Sequence, residues 1–467
     1  MSPRLSTQEQ AAALAARLGG SVHDLHRLSG GASRVTSAFD LETADGATRP
    51  LIVQMDRAGG APGRAKARLE QGLLEAARRA GVPVPEVVAA PDWNADTDAG
   101  EGADPLGGAW LVVERLEGET IPRKILRDPE WAAARRVLTA QCGRALAAVH
   151  TIETASVAGL PAADPLGDPL PLLDTLGEVR PALELGVRWL AAHRPDDGAG
   201  AGARPTVTVH GDFRNGNLLV GPGGLRGVLD WELAHAGDPA EDIGWLCAPA
   251  WRFGGPGEVG GFGSVAELLA AYEEAGGDAV APARVHWWQV YATVKWAAIC
   301  ALQASVHLGG MTRSVELAAI GRRVCESEWD LFVLLGVPPP VDLPEPVAAA
   351  GALPPFGRPT AAELTEAVRE YVEGQMERGE GAAGFEARVA RNALGVVERE
   401  LRLGPSISAA HAARLAGLGF ADDLALAAAL RAGELDADWR RVAPALAASA
   451  RDQLRVANPS YLPAATA

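Results

Sequence analysis

The 467-residue chain is poor in cysteine, and the few cysteines lack the spacing of a metal site or a disulfide framework. Cys142, Cys247, Cys300 and Cys325 are scattered, with no CxxC pair and no neighbouring pair of histidines. The sequence therefore supports neither a zinc site nor a disulfide-stabilised secreted domain, and it fits the reducing cytoplasm. We expect a cytoplasmic protein.

The sequence shows no excess of basic residues, and its patterns predict neither a signal peptide nor a membrane span. The formal net charge is −16, which leaves no basic stripe for nucleic acid. Such a charge permits a cationic substrate but does not require one. The N-terminus carries Glu9 and Arg17 within an amphipathic pattern, and the longest apolar run, 290–308, contains Lys295. We expect neither nucleic acid nor a membrane as partner.

The length of 467 residues predicts two to four folding units, and the apolar content of 48% is enough to bury a sizeable interior. Residues 1–117 have the pattern of a small α/β unit, and Ser6 to Glu9 predict that it opens with a capped helix. Residues 118–337 have the pattern of long helices, one of them over 313–335, with a short sheet insert that includes a strand over 228–230. The stretch 338–359 is rich in proline and predicts a linker. Residues 360–467 are almost wholly helical by pattern.

The strongest motif is a His-Gly-Asp loop followed by an asparagine and a second aspartate. Residues 209–217 read VHGDFRNGN, and Asp230 follows at the end of another apolar run. Phosphoryl transfer needs a carboxylate that orients or deprotonates the attacking hydroxyl, and Mg²⁺ needs hard oxygen ligands from two chain segments. Asp212 is placed for the first role, and Asn217 and Asp230 for the second. Arg214 is placed to reach the transferred phosphate.

Each of these residues alone has a structural explanation, because an aspartate or asparagine in a loop usually caps a turn. The spacing HGD-x4-N-x12-D, with strand patterns on both sides, is what favours catalysis. The sequence contains no GxSxG nucleophile elbow, which excludes a hydrolase triad built on His210.

These residues resemble the catalytic and metal loops of protein-kinase-like folds. The phrases GVPVP, HGDFRNGNLL and LDWELAHAGDPAEDIGWL are similar to those of the aminoglycoside phosphotransferase and choline kinase family. Within it they most resemble the branch related to the phosphotransferase part of acyl-CoA dehydrogenase fusion proteins. The resemblance extends over about 25–335.

The resemblance implies an α+β fold of the protein-kinase-like, bilobal type. A small antiparallel-sheet N-lobe (1–117) would bind the nucleotide, a mostly helical C-lobe (118–337) would carry the catalytic and metal loops, and an all-α domain would follow. It also implies Mg²⁺ and ATP or GTP as cofactors. The implied acceptor is a hydroxyl of a small molecule, of the hydroxyacyl-CoA kind. These last expectations rest on analogy.

In the N-lobe the resemblance implies two contacts with the nucleotide. The backbone of Gly30, Gly31 and Ser33 would lie over the phosphates. Glu114 lies in the stretch that looks like the inter-lobe hinge, where adenine would bond to backbone groups.

The phosphate-gripping pair of the family is altered in this chain. Glu70 stands at the position of the helix glutamate, but Gln54 stands where the family has a lysine or arginine. Glutamine supplies no cation, so either Arg57, three residues on, reaches the phosphates or the grip is weak.

Further residues near the motif are predicted to be structural. Asp238 and Asp242 would accept backbone N–H bonds, and His210 would orient the loop from a buried position. On the helix predicted over 283–308, the aromatic residues Trp287, Trp288, Tyr291 and Trp296 indicate core packing.

Alternatives stay open for the function. Gln54 motivates a nucleotide-binding pseudokinase or scaffold that acts through 360–467. An aminoglycoside or macrolide resistance kinase differs only in its acceptor. The segment 360–467 resembles a helical domain of unknown role that accompanies such kinases, and we take it as a docking or dimerisation module.

Overall fold

The structure is a computed structural model, and it describes residues 6–28, 34–56, 60–93, 106, 109–162, 174, 179–195, 206–340, 345–347, 361–376 and 381–462. Its contacts divide the chain into two units. The first comprises Met1–Ala163 and Asp197–Ala281, and the second Asp164–Asp196 and Pro282–Ala467. The domain boundaries at 117, 337 and 359 stay predictions, and most of the proline-rich stretch lies outside the described residues.

The described strands all belong to the first unit. In chain order they are β1 Gly20–Arg27, β2 Arg34–Thr43, β3 Thr48–Asp56, β4 Val87–Ala89, β5 Trp110–Glu114, β6 Val207–Val209, β7 Leu218–Gly221, β8 Gly224–Val228 and β9 His235–Gly237. The first five form an antiparallel sheet in the order β1-β2-β3-β5-β4.

The described helices occur in both units. In chain order they are α1 Thr7–Leu18, α2 Gly60–Arg79, α3 Pro122–Arg127, α4 Ala132–His150, α5 Pro181–Ala192, α6 Pro239–Cys247, α7 Val265–Glu274, α8 Pro282–Leu308, α9 Val315–Ile320, α10 Val324–Leu334, α11 Ala361–Met376, α12 Gly381–Leu418, α13 Asp423–Arg431 and α14 Trp439–Ala457. Short 3₁₀ turns occur at Pro129–Trp131, Thr154–Ser156, Pro249–Arg252, Gly321–Arg323 and Pro459–Tyr461. No described helix is long and apolar enough to cross a membrane.

Helix α1 begins with the capping pattern that the sequence predicts. The Glu9 backbone N–H donates to the Ser6 hydroxyl, and the Glu9 carboxylate accepts the Ser6 N–H at 2.7 Å. Gly19 ends the helix in the left-handed conformation, with φ of 72°. The helix then packs on the sheet through Leu14, whose neighbours in the core include Phe39 and Trp110.

The His-Gly-Asp motif lies on two small antiparallel ribbons that follow the sheet. Strand β6 pairs with β9, and β7 pairs with β8. The prediction of a strand over 228–230 was wrong, because β8 ends at Val228 and Asp230 adopts a φ of 65° that no strand permits. Strand β9 was not predicted from the sequence.

The second unit is helical and joins α5, α8, α9 and α10 to the C-terminal helices. One core cluster combines Phe332 of α10 with Leu426 of α13 and Val442 of α14. Arg431 of α13 pairs with Glu184 of α5. The C-terminal helices therefore share a hydrophobic core with the helices that precede the proline-rich stretch.

Two predictions for the second unit have clear outcomes. The aromatic residues Trp287, Trp288 and Tyr291 of α8 are buried, which confirms core packing. The helix predicted over 313–335 is interrupted, because a 3₁₀ turn at Gly321–Arg323 separates α9 from α10. The antiparallel sheet, the helical remainder and the helical C-terminal region confirm the predicted α+β fold class.

Candidate active site

The two ribbons of the first unit bring the three acidic and amide residues of the motif together. The loop 210–217 connects β6 to β7, and Asp230 follows β8 directly. The Leu229 N–H donates to the Asn217 carbonyl at 2.9 Å, which joins the end of the loop to the segment that carries Asp230. Residues that are distant in sequence are thereby held beside each other by backbone pairing.

The carboxylate of Asp212 is buried and held by donors from three side chains. Its Oδ1 accepts the Trp245 Nε1–H at 2.9 Å and the Arg214 Nε–H at 2.9 Å. Its Oδ2 accepts the Asn217 Nδ2–H at 2.6 Å, and the Arg214 Nε–H also lies 3.1 Å from it. Charge-assisted bonds from several directions fix the orientation of both oxygens. A carboxylate held in this way is preorganised as a hydrogen-bond acceptor.

Arg214 is held from two sides. Its Nε donates to Asp212, and its guanidinium carbon lies 4.7 Å from the centre of the Trp251 ring, a cation–π distance. Gly216, with φ of 119°, makes room for this arginine, since a Cβ there would lie 2.7 Å from Arg214 Nη1. The guanidinium thus rests against the carboxylate that the sequence predicts to be catalytic.

Asn217 uses its amide nitrogen within the loop. Nδ2 donates to the Asp212 carboxylate and, at 3.0 Å, to the Asp212 carbonyl. Because both N–H groups point inward, the amide oxygen Oδ1 is the atom of Asn217 that suits a hard cation.

Asp230 combines backbone strain with electrostatic repulsion. Its φ of 65° is in the left-handed region, which non-glycine residues adopt at an energetic cost, often at functional sites. Although the residue is exposed, the protein atoms around its carboxyl desolvate it, and the negative charges of Glu232, Asp212 and Glu70 act on it as well. Together they raise the pKa of Asp230 to about 7. A divalent cation at this carboxyl would relieve the repulsion.

A buried carboxylate behind the loop fixes its backbone. Asp242 of α6 accepts the His210 N–H at 2.7 Å and the Gly211 N–H at 2.9 Å, which confirms its predicted role. His150 Nε2 lies 3.3 Å from the same carboxylate, and His150 Nδ1 lies 2.8 Å from the Tyr272 hydroxyl. Burial by itself would raise the pKa of Asp242, but the His150 hydrogen bond, nearby histidine charge and the backbone donors hold it below its ordinary value.

His210 is fully buried and orients the loop, as predicted. Its Nδ1 accepts the Asp212 N–H at 3.2 Å, so Nε2 carries the proton and donates to the Leu229 carbonyl at 3.1 Å. Burial lowers the pKa of His210, which favours this neutral form. Asp238 caps α6 by accepting the Ala240 N–H at 2.9 Å, also as predicted.

The residues predicted to contact the nucleotide phosphates are described only in part. Glu70 is buried on α2 and contributes to the negative field at Asp230. Gln54 is half-buried on β3, opposite Leu111 of β5. The remaining predicted contacts, Gly30, Gly31, Ser33 and Arg57, lie outside the described residues.

Glu114 ends β5, where the sequence predicts the hinge. Its backbone N–H donates to the Glu86 carbonyl at 2.9 Å, and Arg115 N–H donates to the Pro50 carbonyl at 3.0 Å. These two amides are already bonded within the sheet. An adenine base would therefore need carbonyls here, or amides further along the chain.

Three residues of the site were not predicted from the sequence. Trp245 donates to Asp212, Trp251 stacks on Arg214, and His150 contacts Asp242. Trp245 falls in a phrase shared with the family, which is a weak signal. His150 and Trp251 carry no motif, and only packing places them at the loop.

The oxygen ligands available at the site are too few to enclose a metal ion in protein. They suit a cation that also binds a substrate. In the described part of the chain, no group of three or more histidine, cysteine, aspartate or glutamate residues could hold a metal ion. Asp230 and Asn217 offer a carboxylate and an amide oxygen, which are ligands that Mg²⁺ uses together with substrate phosphates. The residues thus fit the predicted metal in kind and in electrostatics.

Comparison with known families identifies two regions of the chain. Residues 24–288, more than half of the chain, match the model described as the phosphotransferase enzyme family. Residues 377–461 match a domain of unknown function, DUF6285. The first region contains all the predicted site residues, and the second lies within the C-terminal helices.

Individual proteins are similar to parts of this chain at low sequence identity. Acyl-CoA dehydrogenase family member 10 of Mus musculus is 28% identical over 186 residues, which are 38% of this chain and 16% of that protein. A Ralstonia eutropha structure named for the aminoglycoside phosphotransferases is 20% identical and has a TM-score of 0.53, covering 71% of this chain and 99% of its own. A macrolide 2′-phosphotransferase from Brachybacterium faecium is 22% identical and has a TM-score of 0.45. The match covers 67% of this chain and 96% of that one. The Ralstonia structure confirms the predicted fold.

Proposed function

Because the chain belongs to the phosphotransferase enzyme family, we propose that it is a small-molecule kinase that transfers the γ-phosphate of ATP to a hydroxyl group. The observation that carries this proposal is the Asp212 carboxylate, held by Arg214, Trp245 and Asn217 in the first unit. A carboxylate with fixed orientation suits the alignment of an attacking hydroxyl.

In this proposal Asp212 accepts the hydrogen bond, and finally the proton, of the acceptor hydroxyl. Arg214 screens its charge in the structure through a bond of 2.9 Å. When nucleotide is present, its guanidinium would turn toward the transferred phosphate, whose charge it matches. That movement frees one lone pair of Asp212 for the hydroxyl.

Asn217 and Asp230 would hold Mg²⁺ through an amide oxygen and a carboxylate. A bound Mg²⁺ would neutralise part of the negative charge of the phosphates. The raised pKa of Asp230, to about 7, indicates that its carboxylate lies in a field that favours such a cation. Asn217 links the two roles, because its Nδ2 also orients Asp212.

The N-lobe contacts remain part of the proposal. The backbone of Gly30, Gly31 and Ser33 would cover the phosphates, and Arg57 would supply the cation that Gln54 does not. Buried Glu70 would orient that cation.

For the acceptor we propose a hydroxyacyl-CoA-like metabolite. The support is the similarity to acyl-CoA dehydrogenase family member 10, which covers 38% of this chain. The chain spans 16% of that relative, so the acceptor is proposed by analogy alone.

One observation favours a second candidate. Gln54 on β3 removes the cation of the usual phosphate grip, which would suit a nucleotide-binding scaffold. Such a protein would bind Mg²⁺-ATP without turnover.

Calorimetric titration tests the nucleotide half of the proposal. Mg²⁺-ATP and Mg²⁺-GTP are titrated into wild type, Asp230→Asn and Glu232→Gln. We expect micromolar binding, about −8 kcal/mol, that is lost in Asp230→Asn. Glu232→Gln removes a neighbouring negative charge without removing a proposed ligand, so its affinity should stay near that of wild type. If both variants lost the same amount of nucleotide affinity, the local negative charge would account for the effect, and Asp230 would not be a metal ligand.

ADP release tests the acceptor half. Wild type and Asp212→Asn are assayed with 3- and 4-hydroxybutyryl-CoA, with butyryl-CoA as the acceptor that lacks the hydroxyl, and with kanamycin. We expect stimulation by a hydroxyacyl-CoA alone, reduced about 10³-fold in Asp212→Asn. Stimulation by kanamycin alone would assign a drug kinase, and nucleotide binding without turnover would favour the scaffold.

A further inference from the structure

Helix α3 lies beside the His-Gly-Asp loop of the first unit. Pro122 Cγ lies 3.7 Å from the position that a Cβ would take on Gly216, and Arg214 Nη1 lies 2.7 Å from the same position. Pro122 and Arg214 therefore border the same glycine of the loop. Four residues further along the helix, Leu126 Cδ1 lies 3.1 Å from the position of a Cβ on Gly261. One face of α3 thus packs against the loop and against the glycine-rich segment that includes Gly261.

The backbone on both sides of α3 is fixed. Just before the helix, Glu119 and Val220 of β7 exchange two backbone hydrogen bonds, of 2.8 and 2.9 Å. At the other end, Arg135 Nη1 of α4 donates to the carbonyls of Ile125 and Asp128, at 2.7 and 2.9 Å. Because β7 directly follows the His-Gly-Asp loop, these bonds give the side chains of α3 a defined place relative to that loop.

Helix α3 presents two exposed arginines on one face. Arg123 and Arg127 are four positions apart, which places them on the same side of a helix. Neither guanidinium forms an ion pair with an acidic group in the described part of the chain. The third cation of the helix, Lys124, is different, because it pairs with Glu119 at 2.9 Å. Arg123 and Arg127 therefore carry positive charge that no described carboxylate offsets by direct contact.

An aromatic turn connects this face with Arg214. The Trp251 ring centre lies 4.7 Å from the guanidinium carbon of Arg214 and 6.5 Å from the Phe253 ring centre. Phe253 is half-buried and has a φ of 47°, a left-handed conformation that is costly for a residue with a side chain and that concentrates at functional sites. The next residue is Gly254, and Arg127 Nη2 lies 3.7 Å from the position of a Cβ there. The arginine face thus borders the turn that packs on Arg214.

The chemistry of this face suits a phosphate group. Guanidinium groups bind phosphate through paired hydrogen bonds, and they do so best where no carboxylate competes for them. The cation that acts most strongly on the Asp230 carboxyl is Arg214. The arginines of α3 are thus further from the proposed place of the metal-bound nucleotide phosphates, and this favours the acceptor as the molecule that they contact.

We propose that Arg123 and Arg127 bind the phosphate groups of the coenzyme A part of the acceptor, while the acceptor hydroxyl reaches Asp212. This inference rests on the kinase function proposed above and assigns the residues that select the acceptor. The same positive charge repels a polycation such as an aminoglycoside, since like charges at a binding surface are unfavourable. Two side chains of α3 thereby discriminate between the acceptor classes that the sequence leaves open.

Calorimetry on the full chain tests this site without requiring turnover. Coenzyme A and pantetheine, which has the same thiol-bearing arm but no phosphate or nucleoside, are titrated in the presence of saturating Mg²⁺-AMP-PNP, so that the nucleotide site is occupied. We expect saturable binding of coenzyme A and at least about tenfold weaker binding of pantetheine, since hydrogen bonds to charged groups are the stronger ones. Kanamycin should not bind.

Three variants locate the binding. Arg123→Gln and Arg127→Gln should each weaken coenzyme A binding about tenfold, and both should bind pantetheine and Mg²⁺-AMP-PNP like wild type. Arg144→Gln removes an exposed arginine of α4 in the same unit and should bind coenzyme A like wild type. If AMP-PNP does not bind at all, the kinase proposal fails, and the same titrations without nucleotide still decide whether α3 holds coenzyme A.

Four results would overturn the assignment. These are an absence of saturable coenzyme A binding, equal binding of pantetheine, unchanged coenzyme A affinity in both α3 variants, or an equal loss in Arg144→Gln, which would reduce the effect to net charge. If the α3 variants lost affinity for Mg²⁺-AMP-PNP instead, the two arginines would bind nucleotide phosphates, and the acceptor would be held elsewhere.

Discussion

The Nε1–H of Trp245 donates a hydrogen bond of 2.9 Å to Oδ1 of Asp212, although 33 positions separate the two residues in the chain. Both side chains are buried, and Trp245 belongs to α6, whose Asp242 also holds the backbone of the loop. One helix thus positions both the side chain and the main chain of the proposed catalytic segment.

We predict that Trp245→Phe lowers kcat about 10- to 100-fold with little change in KM for ATP. Phenylalanine keeps the ring packing but removes the donor to a charged acceptor. Steady-state kinetics measures kcat and KM separately. Trp287→Phe is the matched control, because it removes a buried indole bond to the Leu190 carbonyl in the second unit. A similar loss of kcat in both variants would contradict a specific role for Trp245.

Gly211→Ala should inactivate the enzyme and destabilise it by about 3 kcal/mol. Gly211 has φ of 77°, and a Cβ there would lie 2.3 Å from the Leu233 carbonyl oxygen. Gly223→Ala is the control, since a Cβ at that turn position meets nothing within 4 Å. Urea unfolding and ADP release measure the two effects. Full activity in Gly211→Ala would show that the loop tolerates another backbone path.

Asp242→Asn should lower the free energy of unfolding at pH 7 by about 3 kcal/mol, because it disrupts a buried network with His150 and two backbone N–H groups. The pKa of Asp242 is lowered in the folded state. Its contribution is therefore present above the unfolded carboxyl pKa, about 3.9, and is lost as pH falls through the lower folded value.

The stability difference between wild type and Asp242→Asn should accordingly narrow below about pH 4. Urea unfolding across pH measures it. Asp238→Asn is the control, because asparagine caps a helix as well as aspartate does. A difference that stays constant with pH would rule out an ionised Asp242.

Gln54→Arg should tighten Mg²⁺-ATP binding about tenfold, since it restores a cation that can bond to the phosphates. Gln54→Met, of similar length but uncharged, should not improve affinity. Calorimetry compares the three proteins. Unchanged affinity in Gln54→Arg would indicate that another cation, such as Arg57, already holds the phosphates.

The sequence alone predicted the α+β class, the capped start of α1 and the residues Asp212, Asn217 and Asp230 as a set. These features are readable because local patterns set them: helix caps act over three residues, and the motif lies in one short stretch. The structure brings the set together in the first unit, where Asn217 bonds to Asp212 and the charge of Asp212 acts on Asp230.

Only the tertiary structure decided how that set is held. Trp245 and His150 reach the loop from α6 and α4, and Asp230 leaves β8 with a left-handed backbone. The same is true of the C-terminal helices, which share a core with Phe332 of α10 across the proline-rich stretch. Such contacts depend on which surfaces pack together, and burial is not directional, so no local pattern in the chain specifies them.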